Sequence, residues 1–175
     1  MRCQTEAVLL MMSGLPGSGK SHLAQALAIE LRAVIVSVDP IEDAMIQSGL
    51  PMSFETGVAA YQVGAVVAAA QLHNGFTVIA DAANYLEVGR DIWRAVAAES
   101  RVALKAIEVI CSDTVLHKTR LEGRRRSLRA YPEPSWHDIL RRASEVEAWT
   151  TPRLVLDSAG ETSAMLEEAR RYLNA

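Results

Sequence analysis

Residues 14–21 read Gly-Leu-Pro-Gly-Ser-Gly-Lys-Ser, a spacing of glycine, lysine and hydroxyl that suits the holding of a chain of phosphates. A polyphosphate presents several anionic oxygens at close range, and only a stretch poor in β-carbons lets successive backbone N–H groups turn inward around them. Gly14, Gly17 and Gly19 supply that freedom, with Leu15, Pro16 and Ser18 completing the loop. Lys20 reaches the β and γ oxygens as a point charge, and the Ser21 hydroxyl can ligate Mg²⁺. An apolar run over residues 7–12 precedes the loop and an amphipathic run over 22–31 follows it. The loop therefore joins a strand to a helix whose N-terminus aims roughly +0.5 charge at the same phosphates.

The elements that must position this loop show in the hydrophobic pattern. Short β-branched runs alternate with longer helical ones, the mark of a parallel sheet with crossover helices. Strands are expected at 7–12, 33–38, 77–80, 104–110 and 154–156. Helices are expected near 20–31, 41–47, 54–73, 87–100, 114–122, 135–149 and 163–173. Asn74-Gly75 should stop the long Ala-rich helix, because glycine takes the left-handed stop readily. No repeat, low-complexity tract or linker divides the chain, so one domain over 1–175 is expected, with a lid at about 120–134.

Sites in such an architecture gather at the carboxyl ends of the strands. The second strand is followed by Ser37-Val38-Asp39-Pro40 and the third by Asp81-Ala82-Ala83-Asn84, which brings two carboxylates to the rim that carries the phosphate loop. Asp39, Pro40 and Glu42 also read as N-cap, first-turn proline and capping-box partner of the helix beginning at Ile41. Functionally, Asp39 is a general base for an attacking hydroxyl, and capping does not exclude that role. Asp81 stands where a carboxylate would help hold Mg²⁺, or else orient an acceptor. Asn84 either caps the next helix or touches substrate. Arg90 reads as a solvated or ion-paired helix residue, with a functional role as the alternative.

The one dense basic segment comprises Arg120, Arg124, Arg125, Arg126 and Arg129, with Gly123 among them and Tyr131-Pro132-Glu133-Pro134 beyond. A solvated face is the ordinary reading of such a run. Glycine and proline at its ends suggest instead a hinged lid whose arginines stabilise a transferring phosphoryl group. A nucleic-acid patch fits less well, since no aromatic residues interleave with the arginines. Farther on, Trp136, Ile139, Leu140, Ala143 and Val146 recur at helical spacing and predict a packed face. Leu166, Ala169 and Leu173 should dock the closing helix onto the sheet.

Half of the 175 residues are hydrophobic and 22% are charged, a globular composition. The net charge of −3 gives no overall field for nucleic acid. No apolar run approaches about 18 residues, so a soluble, cytoplasmic protein without membrane contact is expected. Cys3 and Cys111 have no zinc or redox spacing, and His22, His73, His117 and His137 have no metal spacing or partnered nucleophile. Oligomeric state is open.

The order of these parts over nearly the whole chain resembles the small bacterial P-loop kinases, which include predicted kinases with AAA-type ATP-binding domains. These are related to polynucleotide kinase, chloramphenicol phosphotransferase and the zeta-toxin kinases. The likeness rests on residues 14–21, on Asp39, on Val78-Ile79-Ala80-Asp81-Ala82-Ala83-Asn84 and on Arg120 with Arg124. It implies a three-layer α/β P-loop NTPase fold, with a five-stranded parallel sheet of order 2-3-1-4-5 flanked by helices. It also implies Asp39 as the base, Asp81 in the acceptor or Mg²⁺ region, Arg120 on the adenine side and Arg124 on the phosphates. The activity implied is ATP- and Mg²⁺-dependent phosphoryl transfer to a small-molecule hydroxyl.

The competing classes are a nucleotide switch or ATPase acting on a protein partner, a polynucleotide 5′-hydroxyl kinase and a binder without turnover. No N-K-x-D sequence supports a guanine-reading switch. Many relatives carry an arginine three residues after the base, where polynucleotide kinase engages an acceptor phosphate. This chain has Glu42 there, and like charges at close range oppose binding. A small neutral or cationic acceptor is therefore expected. A 5′-hydroxyl oligonucleotide should be phosphorylated far more slowly than the best small alcohol, and comparable rates would reject this reading.

Overall fold

The computed structural model describes residues 7–124, 128–130 and 133–175. The expectations placed on Cys3, Arg125, Arg126, Tyr131 and Pro132 lie outside the described residues. The strands are β1 (Val8–Ser13), β2 (Val34–Ser37), β3 (Val78–Asp81), β4 (Ala103–Ile110) and β5 (Leu154–Asp157). The described helices are α1 (Lys20–Leu31), α2 (Val38–Gln47), α3 (Phe54–His73), α4 (Glu87–Ser100), α5 (Thr114–Gly123), α6 (Trp136–Ser144) and α7 (Thr162–Asn174). All strand pairings are parallel, in the order β2-β3-β1-β4-β5. This is the expected P-loop NTPase fold.

β1 is central because it can be buried on both sides. Leu9 and Met11 pack with α3 and α4, while Leu10 and Met12 pack with α1 and α7, and all four are fully covered. Burying one such side chain contributes about 1.5–3 kcal/mol, so an apolar run like this is driven to the middle of the sheet. Leu23, Ala24 and Leu27 of α1 share their core with Met165 and Ala169 of α7. Trp93 of α4 and Leu72 of α3 belong to the core on the other face. The helix after β1 and the helix after β3 thus leave two neighbouring strands toward opposite faces. The chain parts at their carboxyl ends and leaves a crevice there.

Two helices depart from expectation. β2 ends at Ser37, paired with Asp81, and the chain turns directly into α2 at Val38. Ser37 occupies the N-cap position, so Asp39 falls within the first turn and does not cap, and Glu42 does not complete a capping box. Pro40 is tolerated because the first-turn amides have no partner within the helix. α6 ends at Ser144, short of the expected 149, and only Ile139 of its anticipated packed face is buried. Leu140 is 53% exposed, Ala143 is exposed, and Val146 lies beyond the helix.

Tertiary competition for the backbone explains the early end of α6. Arg90 is fully buried, and its Nη2 donates to the carbonyls of Glu147 at 3.1 Å and Ala148 at 2.9 Å. Its Nε donates to Glu87 at 2.5 Å, and its guanidinium lies 4.5 Å from the centre of the Trp149 ring. The Glu147 amide donates to Tyr85 O at 3.0 Å. The strap after α6 is thereby drawn onto α4. Glu87 is held down to about 2, foremost by the hydrogen bond from Thr150 and then by Arg94 and Arg90.

Asn84 neither caps α4 nor faces the crevice. It is buried at φ 52, donates to Met12 O at 2.7 Å and accepts from Trp93 Nε1 at 3.1 Å. Lysine has no planar fork to replace the arginine contacts. Arg90→Lys should therefore lower the unfolding free energy by about 2–4 kcal/mol, measured by urea denaturation. An unchanged midpoint would show that the strap is not held this way.

Candidate active site

The loop between β1 and α1 is closed from both ends. The Gly14 amide donates to Ala83 O at 3.1 Å, and the Ser13 hydroxyl donates to the same carbonyl at 2.9 Å. Gly14 stands at φ 149, and a β-carbon there would lie 2.4 Å from Val109 O and 2.7 Å from Ser18 Oγ. Gly17 and Gly19 adopt φ 86 and 91, a region that L side chains enter only at a cost. Gly19 precedes α1, so the positive end of that helix opens onto the loop. His117, in α5, donates from Nε2 to Pro16 O at 2.9 Å, and its ring meets Trp136 edge-on at 5.2 Å.

At the floor, Lys20 Nζ forms an ion pair with Asp81 Oδ1, and the two side chains are only 11% and 9% exposed. Asp81 Oδ2 accepts a long hydrogen bond from Ser37 Oγ at 3.4 Å, and Lys20 Nζ lies 3.5 Å from Ser21 Oγ. Partners from the start of α1 and the end of β2 therefore converge on the carboxylate that ends β3. The Ser21 hydroxyl and Asp81 carboxylate are hard oxygen donors. Among the described residues no three His, Cys, Asp or Glu side chains gather around one point. Such a donor set fits Mg²⁺, which takes few protein ligands and accepts phosphate oxygens and water for the rest.

A cavity of about 690 Å³ opens above this floor. Gly14, Leu15, Pro16, Gly17, Gly19, Lys20 and Ser21 line it together with Asp39, Arg120 and Arg124. Ser18 and Asp81 lie beneath its surface; Ser18 is 2% exposed, and its Oγ finds no hydrogen-bond partner among the described residues. Arg120 donates from Nη1 to Ser158 Oγ at 2.8 Å and from Nη2 to Ser158 O at 3.1 Å. Arg124 follows the last turn of α5, with Nη1 3.8 Å from Glu133 Oε2. Residues 129 and 130 are anchored on α2, where the buried Asp43 accepts from the amides of Arg129 at 3.0 Å and Ala130 at 2.7 Å.

Away from the phosphate loop the wall changes character. Glu42, Tyr61, Val88, Ile92 and Arg142 face the same cavity. Burial foremost, and then the charge of Asp39, push the Glu42 carboxyl upward against the opposing pull of Arg142. Burial likewise pushes the Tyr61 phenol well above its ordinary range; its oxygen accepts from the Asn84 amide at 3.2 Å. Sequence reasoning missed Ser37, Tyr61, His117, Arg142 and Ser158 as site residues. Ser158 was within reach, because it directly follows β5 on the rim that collects functional groups. The others carry no local signal: Tyr61 reads as part of an apolar helix and Arg142 as a solvated charge.

A family model described as an AAA domain matches residues 9–146, more than half of the chain. No curated protein matches. Several solved structures share the fold over nearly the full length. The APS kinase of Mycobacterium tuberculosis, solved with AMPPNP and APS, has a TM-score of 0.72 at 18% identity, covering 97% of this chain and 99% of that one. A sugar kinase from Janibacter sp. HTCC2649 gives 0.72 at 20% identity, over 97% and 95%. A gluconokinase from Sinorhizobium meliloti 1021 gives 0.63 at 18% identity, over 99% and 97%. The phosphate loop, the sheet order and the family match agree: this chain belongs to the AAA domain family, on a P-loop NTPase fold shared with small kinases.

Proposed function

We propose that the chain is an ATP- and Mg²⁺-dependent kinase that transfers the γ-phosphoryl group to a hydroxyl of a small molecule. The observation that carries this reading is a single cavity with the phosphate loop and Lys20 at one end and Asp39 on the wall beside it. The small-molecule kinases that share the fold support the same class.

The loop amides and the N-terminus of α1 hold the polyphosphate, and Lys20 neutralises charge on its β and γ oxygens. Ser21 and Asp81 would hold Mg²⁺, which when bound supplies further neutralisation of the phosphate oxygens. Asp39 accepts the proton of the attacking hydroxyl. It stands in the first turn of α2, on the wall of the cavity that also holds the phosphate loop. Arg124, across the cavity, stabilises charge spread over the moving phosphoryl group, and Arg120 borders the nucleotide. The ion pair with Asp81 fixes the direction of Lys20, a buried contact whose geometry must be accurate to offset desolvation.

Acceptor dependence tests the reading. ADP release should rise with one class of hydroxyl compound. Asp39→Asn should lower that acceptor-dependent kcat by about 10²–10⁴-fold. Nucleotide affinity in the same variant, read by fluorescence titration, should stay within about threefold of the parent, a shift of under 1 kcal/mol. Undiminished turnover in Asp39→Asn would remove Asp39 from the chemistry. ADP release that responds only to a protein partner would favour the switch class.

A further inference from the structure

The half of the cavity remote from the phosphate loop has a chemistry of its own. Glu42 stands three residues beyond Asp39 on α2, so both carboxylates share one helix face and both line the cavity. Across from Glu42, α3 presents Gly57, where a β-carbon would sit 3.5 Å from Glu42 Oε1. The carboxylate thus reaches over a position with no side chain to cover it. Among the described residues Glu42 accepts no hydrogen bond and forms no salt bridge. Among the described residues Arg142 is the cation that tempers it, while Lys20, Arg120 and Arg124 line the same cavity with the phosphate loop.

Around this carboxylate the wall is mainly apolar, with Ser53 and Tyr85 among the polar members of the same lining. Val58 and Tyr61 of α3 and Val88 and Ile92 of α4 form its sides. Met52 and Phe54, 54% and 61% exposed, stand at its mouth. Exposed apolar groups at the entrance of a pocket mark a surface made to be covered by a ligand. A sugar would leave much of that apolar wall uncovered, and an anion would meet the carboxylates of Asp39 and Glu42. An amine carried on an apolar body would meet an opposite charge in a partly desolvated setting, where attraction is strongest.

We infer that the acceptor, on the kinase reading above, is an alcohol with an apolar or aromatic body and a protonated amine. Glu42 takes the amine, the α3 and α4 wall takes the body, and the hydroxyl lies at Asp39. In the transfer the hydroxyl gives its proton to Asp39 as its oxygen bonds to the γ-phosphorus. The bond from that phosphorus to the β,γ-bridging oxygen breaks, and ADP leaves with the electron pair.

Matched alcohols read the pocket directly. Phenylalaninol, its N-acetyl derivative and 3-phenyllactate share one skeleton in cationic, neutral and anionic form; leucinol, N-acetylleucinol and 2-hydroxyisocaproate make a second set, with sorbitol and gluconate as hydrophilic comparators. Binding is measured by calorimetry with AMPPNP and Mg²⁺ present, and turnover by ADP release with ATP. The cationic members should bind about tenfold or more tighter than their acetylated partners, the scale of one charge-assisted hydrogen bond. Glu42→Gln should shrink that gap to under about threefold. Preference for the anionic or hydrophilic compounds, no binding by either apolar set, or an undiminished gap in Glu42→Gln would overturn the inference. The comparison within the parent protein stands even if the variant does not fold. Cation-selective binding without alcohol-dependent ADP release upholds the pocket and sinks the kinase reading. Alcohol-dependent release without charge preference sinks only the inference.

Discussion

The ion pair between Lys20 and Asp81 is the contact on which the site depends. It joins the first residue of α1 to the last residue of β3 across the seam between neighbouring strands. Both groups are almost fully covered, and desolvating two charges is offset only when they meet in good geometry. The sheet register supplies that geometry: Met12 of β1 and Ser37 of β2 stand level with Asp81. A slip of one residue in either pairing would turn the carboxylate toward the opposite face and leave the ammonium buried against apolar neighbours. The alternating cores on the two faces of β1 prevent that slip, so the packing of leucine and methionine sets the position of a charge.

The crevice follows from where the helices go. α1 and α4 leave adjacent strands toward opposite faces, and α2 starts without a connecting loop. Asp39 therefore stands at the positive end of one helix and the phosphate loop at the positive end of another. A rim carboxylate and an anion-binding loop side by side require similar scaffolding: short turns at strand ends, with helix N-termini facing inward. The strap from Glu145 to Thr151 closes the structure behind this rim. Arg90, Asn84 and Trp93 bind it, α4 and β1 into a single buried polar network. Such a network adds order because each group would be costly to leave unpaired.

What could be read in the sequence was whatever depends on neighbours along the chain. The five strands fall within a residue of expectation, because apolar runs bounded by turn residues report burial directly. The loop was legible for the same reason, since its glycines answer to backbone geometry. α6 was not, because its helical spacing continues past Ser144 while Arg90, more than fifty residues upstream, claims the carbonyls beyond it. Arg90 itself read as a solvated or ion-paired helix residue, of which the pairing with Glu87 is found, and Asn84 as a cap or a substrate contact. Their roles depend on partners that no local pattern reveals. Glu42 was noticed for its charge, but that it stands in an apolar chamber opposite Gly57 became visible only once α2 and α3 were placed side by side.

On the kinase reading, nucleotide and acceptor meet in one chamber, so that the phosphoryl group passes to an alcohol in place of water. Phosphorus NMR of the protein turning over ATP and Mg²⁺ with its best alcohol reads the fate of that group. A phosphomonoester resonance should grow in step with ADP. ADP matched by inorganic phosphate, with no ester formed, would contradict that reading.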